Sequence, residues 1–303
     1  MMQILFLGIT QFKDVHDKYV NSVELYIKIS KPLKALRFLW FYFNLPFKFI
    51  WINPLLRTNL RNYDIIIISA NQFNIKVLSY IEKWAESSSE LILWYWNPVL
   101  KMGNPVLSPR WKKVSFDLID SKNYNIAFNN TYYFKEFVNN KTFTKVQLKN
   151  SKEAFFLGQD KGRLGELLDL KKKLSKVGVE LILHVVRDKT STNSEFIYKP
   201  KLAYESVIAE LLKYNILLDF NQEGQSGLTL RIMEGLFFDK KIITNNKYVK
   251  LYDFYRPSNI FILEEETLEN LPNFLNLPYE KIPHDILIKY DFPNWLERLV
   301  NEK

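Results

Sequence analysis

The chain has 303 residues, enough for about two domains, with 47% apolar and 25% charged residues, nine glycines and twelve prolines. That balance excludes disorder, collagen-like repeats and Gly/Ser-rich arrays, and the absence of cysteine excludes a disulfide framework, a Cys-based zinc site and a cysteine nucleophile. Residues 1–150 carry 20 Lys+Arg against 10 Asp+Glu, a net of +10, whereas residues 151–303 carry 22 against 23, a net of −1. A basic half and a neutral half point to two modules, the first facing something anionic.

In chain order, Met1 to Gly8 lacks a basic leader, and its apolar run is too short for a signal peptide. It predicts a buried first strand over 3–8 in a cytoplasmic protein. Next comes Phe12-Lys13-Asp14-Val15-His16-Asp17, where a histidine beside two carboxylates could hold a tuned pKa. Residues 31–57 then break the pattern with an aromatic and aliphatic run from Phe38 to Ile52, punctuated by Asn44, Pro46 and Lys48. At 15 residues the run is shorter than the roughly 20 needed to span a bilayer. Flanked by Lys31, Lys34, Arg37 and Arg57, it suits either docking in a membrane interface or a pair of core helices.

Continuous apolar runs predict strands at 64–69 and 91–96, buried on both faces of a parallel sheet, with a helix over 73–87. Asp117 and Asp120 fit either helix caps or acid–base chemistry. The polar stretch from Lys145 to Glu153 predicts the domain boundary near 145–152, giving domains 1–150 and 151–303. Beyond it, strands are predicted at 154–158, 180–186, 216–219, 241–244 and 259–263. Helices are predicted near 163–176, 202–212 and 228–238, and a terminal helix from Phe292 to Lys303. His184 falls inside a strand and reads as a core histidine. This succession predicts an α/β protein of two Rossmann-like, doubly wound domains.

The most specific stretch is Gln225-Ser226-Gly227-Leu228-Thr229-Leu230-Arg231-Ile232-Met233-Glu234. It follows a strand and opens a helix, so it lies at the carboxyl edge of a sheet, where ligands bind. Backbone N–H groups and the helix dipole there suit a diphosphate. Gly227 allows close approach, Ser226 and Thr229 offer hydroxyls, Arg231 can fork onto phosphate, and Glu234 is placed for a ribose. A second loop on that edge, Gly158-Gln159-Asp160-Lys161-Gly162-Arg163, brings Lys161 and Arg163, and Arg187 follows the next strand. A Walker lysine motif, a dinucleotide Gly-rich fingerprint and a GxSxG elbow are all missing. His16, His184 and His284 are widely separated, so no metal site is expected.

The runs AFFLGQDKGRLGELLDLKKKL and NILLDFNQEGQSGLTLRIMEGLFFDKKIITNNKYVKLYDFY resemble bacterial GT-B glycosyltransferases that build capsule, O-antigen and related surface polysaccharides of the lipopolysaccharide type. LWYWNPV and SFDLIDSKNYNIAFNNTYYF are similar to the first domain of that group. The resemblance implies a GT-B architecture in which two Rossmann-like domains face a central cleft. The second domain would hold a nucleotide sugar, with a UDP-sugar the expected donor, and the first a lipid-linked or oligosaccharide acceptor. It further implies diphosphate contacts at Lys161, Arg163, Ser226, Gly227, Leu228 and Thr229, a ribose contact at Glu234, and transfer without metal or cofactor. Many retaining members carry two glutamates eight positions apart, but here Ser226 stands where the earlier one would be. For an inverting reaction the general base would come from Asp14, His16 or Asp17. The membrane-docking segment would make the enzyme peripheral on the inner face of the plasma membrane. Two other classes fit the composition: a noncatalytic scaffold of the same fold in polysaccharide assembly, and a basic nucleic-acid-binding protein. The second is disfavoured because no nucleic-acid recognition motif is visible.

Overall fold

The computed structural model describes residues 2–9, 11–139, 152–222, 224–263 and 265–301. Two compact units result, one of Met1–Asn130 with Leu296–Lys303, the other of Thr131–Trp295. The division therefore falls at Asn130/Thr131. The polar stretch expected to mark it, near 145–152, lies outside the described residues up to position 151. The last helix is Phe292–Asn301, and its end belongs to the first unit.

The first unit is a six-stranded parallel sheet. Its strands are β1 (Ile4–Leu7), β2 (Asn21–Val23), β3 (Ile65–Ser69), β4 (Glu90–Tyr95), β5 (Trp111–Ser115) and β6 (Ala127–Phe128), in the order β2-β1-β3-β4-β5-β6. Phe6 pairs with Ile67, and Ile67 with Ile92, so the most apolar strands lie at the centre. Ile66, Ile67, Leu91 and Ile92 are wholly buried, as expected for strands covered on both faces. The helix expected over 73–87 is shorter: a 3-10 turn, Asn74–Lys76, precedes the helix Leu78–Trp84.

The second unit contains β7 (Glu153–Gln159), β8 (Glu180–Val186), β9 (Ile216–Asp219), β10 (Lys241–Thr244) and β11 (Ile260–Ile262), all parallel, in the order β11-β10-β9-β7-β8. Chain order reverses between β7 and β9, which makes their carboxyl ends the switch point where open α/β sheets bind ligands. The helices Leu164–Lys176 and Leu230–Phe237 follow β7 and β9 directly. Leu167, Leu170 and Leu174 recur at helical spacing and seal the first of these onto the sheet. The two units share the Rossmann-like plan that the alternation of strands and helices predicts.

Candidate functional site

The switch point is open in a specific way. β7 pairs with β9 only at Ala154↔Ile216 and Phe155↔Leu217, yet β7 runs on to Gln159 beside β8 and β9 to Asp219 beside β10. Beyond Phe155 the two central strands part. Carbonyls two residues apart face the same edge of a strand, so those of Leu157 and Gln159 are left without ladder partners where β9 turns away. Two arginines take them. Arg231 Nη2 donates to Leu157 O at 3.2 Å, and Arg163 Nη2 donates to Gln159 O at 3.2 Å. Arg163 Nη1 also donates to Phe220 O just past β9, and its guanidinium lies 5.0 Å over the Phe156 ring. At Gly158 a Cβ would meet Arg163 Nη2 at 2.9 Å and the Phe156 ring at 3.0 Å, so a side chain there would push the guanidinium from its place. Burial pushes the Arg163 pKa down while Asp219, Asp160 and Asp188 pull it back up. The splay is thus held by two fixed cations, placing positive charge at the sheet edge.

On the β9 side, Thr229 caps the helix Leu230–Phe237: its Oγ1 accepts from the backbone N–H of Arg231 at 3.1 Å and of Ile232 at 3.4 Å. The same hydroxyl donates to Asp219 Oδ1 at 2.6 Å, and Thr244 Oγ1 donates to Asp219 Oδ2 at 2.8 Å. Asp219 is buried, and that burial raises its pKa. Thr229, expected to offer its hydroxyl to a phosphate, instead spends it holding the loop to the strand. Within the helix, Arg231 Nη1 pairs with Glu234 Oε2 at 2.5 Å, and Tyr204 donates to Glu234 Oε1 at 2.9 Å. The Tyr204 hydroxyl is itself hydrogen-bonded to that of Tyr133 at 2.7 Å. Glu234 is 1% exposed, and burial raises its pKa against the opposing pull of Arg231. This corrects two expectations: Arg231 and Glu234 face one another inside the unit, and the Glu234 carboxylate is not presented to a ribose.

The remaining predicted donor residues lie on the same edge. Ser226 is half-buried, Gly227 and Leu228 are buried, and the Ser226 carbonyl accepts from Asn246 Nδ2 at 3.0 Å. Lys161 is exposed in a left-handed turn with Gly162, at φ +50° and +79°, and its N–H donates to Asp188 Oδ2 at 2.9 Å. Arg187 lies 4.7 Å over the Tyr198 ring, and Tyr198 donates to the buried Asp160 at 2.7 Å. Asn221 was not anticipated. Its N–H donates to Asn245 Oδ1 at 2.7 Å and its Nδ2 to Gln225 O at 3.2 Å, which fixes the amide orientation. Its Oδ1 is buried and accepts no hydrogen bond among the described residues. The available sequence signal was the amides that follow the two strands, Asn221 separated from β9 by Phe220 alone and Asn245-Asn246 directly after β10.

In the first unit, the three residues expected to supply a base do not converge. His16 is wholly buried, its ring edge-on to Phe6 at 5.8 Å, with Nδ1 2.9 Å from Phe12 O. Burial drives its pKa down to about 4, so the ring is neutral near pH 7. Asp17 accepts from the Ser22 N–H at 3.1 Å and also from the Lys13 ammonium and the Ser22 hydroxyl, which together lower its pKa against the burial that would raise it. Asp14 is exposed. Asp117 is a helix cap, accepting from the Ile119 and Asp120 N–H groups at 2.9 and 3.3 Å. Asp120 accepts from the Val99 N–H at 2.7 Å. His184 is half-buried rather than a core residue, with Nε2 2.8 Å from Pro200 O.

His16 carries a pH prediction. Its folded pKa lies below the unfolded value of about 6.5, so its contribution to stability is present above that value and lost as pH falls toward 4. Between pH 7 and 5 this amounts to about 2 kcal/mol. Urea unfolding at the two pH values should show that loss in the parent chain and much less of it in His16→Gln.

No protein-family model matches the chain, and no curated protein matches it. Among solved structures it is similar to the DNA-modifying enzyme β-glucosyltransferase, determined with and without uridine diphosphoglucose, over 98% of both chains at 12% identity, with a TM-score of 0.52. It is likewise similar to an α-glucosyltransferase in complex with UDP-glucose and DNA containing an abasic site. That likeness covers 98% of this chain and 89% of the other, at 11% identity and a TM-score of 0.54. The fold is therefore GT-B, two Rossmann-like α/β domains, and these structural neighbours are glycosyltransferases.

Proposed function

We propose that the chain is a glycosyltransferase that moves a sugar from a UDP-sugar to a lipid-linked or growing saccharide acceptor of the surface-polysaccharide class. The observation that carries this reading is the parting of β7 and β9, held by Arg163 and Arg231 beside a buried, unpaired acceptor at Asn221 Oδ1. The diphosphate would lie over the 226–230 loop, met by the backbone N–H groups and hydroxyl of Ser226, Gly227 and Leu228, with Lys161 closing from the β7 side. Asn221 Oδ1 suits a donor hydrogen from the ribose or base, the place expected of Glu234. The positive end of the helix and the Arg163 guanidinium would stabilise the charge that builds on the diphosphate as its bond to the sugar breaks, without a metal. The acceptor hydroxyl would form the new bond and give up its proton to a base. Of the three loop residues, Asp14 is the exposed carboxylate not already held by its neighbours in the described contacts.

A second reading has support of its own. Both structural neighbours named above act on or bind DNA by their descriptions, and residues 1–150 carry a net +10. Incubating the protein with labelled UDP-glucose and UDP-N-acetylglucosamine, and with lipid-linked saccharides or duplex DNA as acceptors, separates the two. The first reading expects label in the lipid-linked product and none in DNA. Label in DNA alone would transfer the assignment to the second, and label in neither acceptor, without donor hydrolysis, would leave the scaffold role as the better account.

A further inference from the structure

The proposed donor chemistry does not use the surface of the first unit around residues 33–55. The helix Lys31–Tyr42 is twelve residues long, yet only Phe41 is buried. Phe41 is gripped edge-on by Tyr26 and Phe73, and Trp40 packs on Trp51 at 5.9 Å, so the segment is anchored to the unit along one line. Asn44 and Phe47 both adopt left-handed backbone, at φ +53° and +57°, and bring the chain back to the 3-10 turn Lys48–Trp51. What this fold presents to solvent is apolar. Tyr42, Phe43, Phe47 and Leu55 are 66, 65, 62 and 64% exposed, and Phe38, Leu39 and Leu36 about half exposed. The rings form runs: Phe38 stacks on Tyr42 at 6.1 Å, Tyr42 meets Phe43 at 5.1 Å, and Phe47 meets Phe49, which continues to Tyr80 and Trp84.

An apolar surface of this extent on a water-facing helix marks an interaction face. Charge decides what it meets. Between Glu24 and Asp64 there is no acidic residue, whereas Lys28, Lys31, Lys34, Arg37, Lys48, Arg57 and Arg61 are all basic. Rings and leucines interleaved with cations and devoid of carboxylates complement a layer that is apolar inside and anionic at its surface. Among the described residues no helix is long and apolar enough to cross a membrane, so the segment would lie in the interface.

We propose that this face docks the protein onto anionic lipid bilayers, the rings and leucines entering the headgroup boundary while the lysines and arginines contact anionic headgroups. The inference stands on the first unit's surface and is independent of the donor site in the second.

Flotation of the full chain with vesicles tests it. Vesicles of phosphatidylcholine with phosphatidylglycerol should carry the protein upward, and vesicles of phosphatidylcholine alone should carry much less. Each of Lys31→Gln and Lys34→Gln should weaken binding about fivefold. The triple variant Tyr42→Ser, Phe43→Ser, Phe47→Ser should weaken it by well over tenfold. These side chains face solvent, so the triple variant should keep its melting temperature and its affinity for UDP, which separates failure of docking from failure of the fold or of the donor reading. Absence of flotation with anionic vesicles would overturn the proposal. So would binding that the triple variant leaves intact, or a preference of the same surface for single-stranded DNA over vesicles.

Discussion

Arg231→Met is expected to cost about 3–5 kcal/mol of unfolding free energy, because it leaves the Glu234 carboxylate buried without its partner. Glu234 is 1% exposed and, among the described contacts, keeps only the Tyr204 hydroxyl. Arg231 also supplies the donor for Leu157 O, which would then lack a partner at the parting of the central strands. The double variant Arg231→Met, Glu234→Gln should lose much less than the sum of its single changes, since it removes the stranded charge. The pH dependence fixes the sign. Glu234 has a folded pKa raised by burial, and more so without Arg231, so the folded state binds the proton more tightly than the unfolded state. Stability of Arg231→Met should therefore be lost as pH rises through that raised value and partly regained as pH falls below it. Urea unfolding at pH 7 and 5 reads this directly. A loss under about 1 kcal/mol at pH 7 would mean that the pair is not a buried pair in solution.

The second large effect is at Arg163. Arg163→Leu keeps the packing over Phe156 but strips donors from Gln159 O and Phe220 O. Gln159 is exposed and water can replace its donor, so the cost falls on the buried Phe220 O, at about 1–3 kcal/mol. It also removes a fixed positive charge from the strand parting, so affinity for a nucleoside diphosphate should fall by roughly tenfold or more. Arg163→Lys keeps the charge without the fork that spans both carbonyls. It should lose stability yet retain more of the diphosphate affinity than the leucine variant, so the two substitutions separate holding the strands apart from attracting the ligand.

The sequence exposes the fold where burial is complete and hides it where burial is partial. β1, β3, β4, β9, β10 and β11 are legible because strands covered on both faces must be apolar throughout, while β7 and β8 are legible from apolar runs although β8 lies at the edge and is only partly buried. β5, Trp-Lys-Lys-Val-Ser, is not, because Lys112 and Lys113 stay half-exposed near the sheet's edge, and β2 and β6 are only three and two residues long. At the site, the helix was legible but its start was not: Thr229 is the cap and the helix runs Leu230–Phe237, two residues later than the expected 228. The fate of Arg231 and Glu234 was not. An arginine and a glutamate three apart read as an exposed pair or as ligand contacts, and only the tertiary structure shows residues 231–237 buried all round. His16 was misread for the same reason: two flanking carboxylates suggest a polar loop, but the short helix Lys13–His16 turns its last residue onto Phe6.

The central claim is that the parting of β7 and β9 grips a pyrophosphate. Calorimetric titration of the full chain with UDP, UMP and uridine, repeated on Arg163→Leu, tests it most directly. The account predicts that UDP binds far more tightly than UMP, that uridine binds weakly if at all, and that Arg163→Leu erases most of the gap. Equal affinity for UDP and uridine, or a UDP affinity untouched by Arg163→Leu, would contradict it.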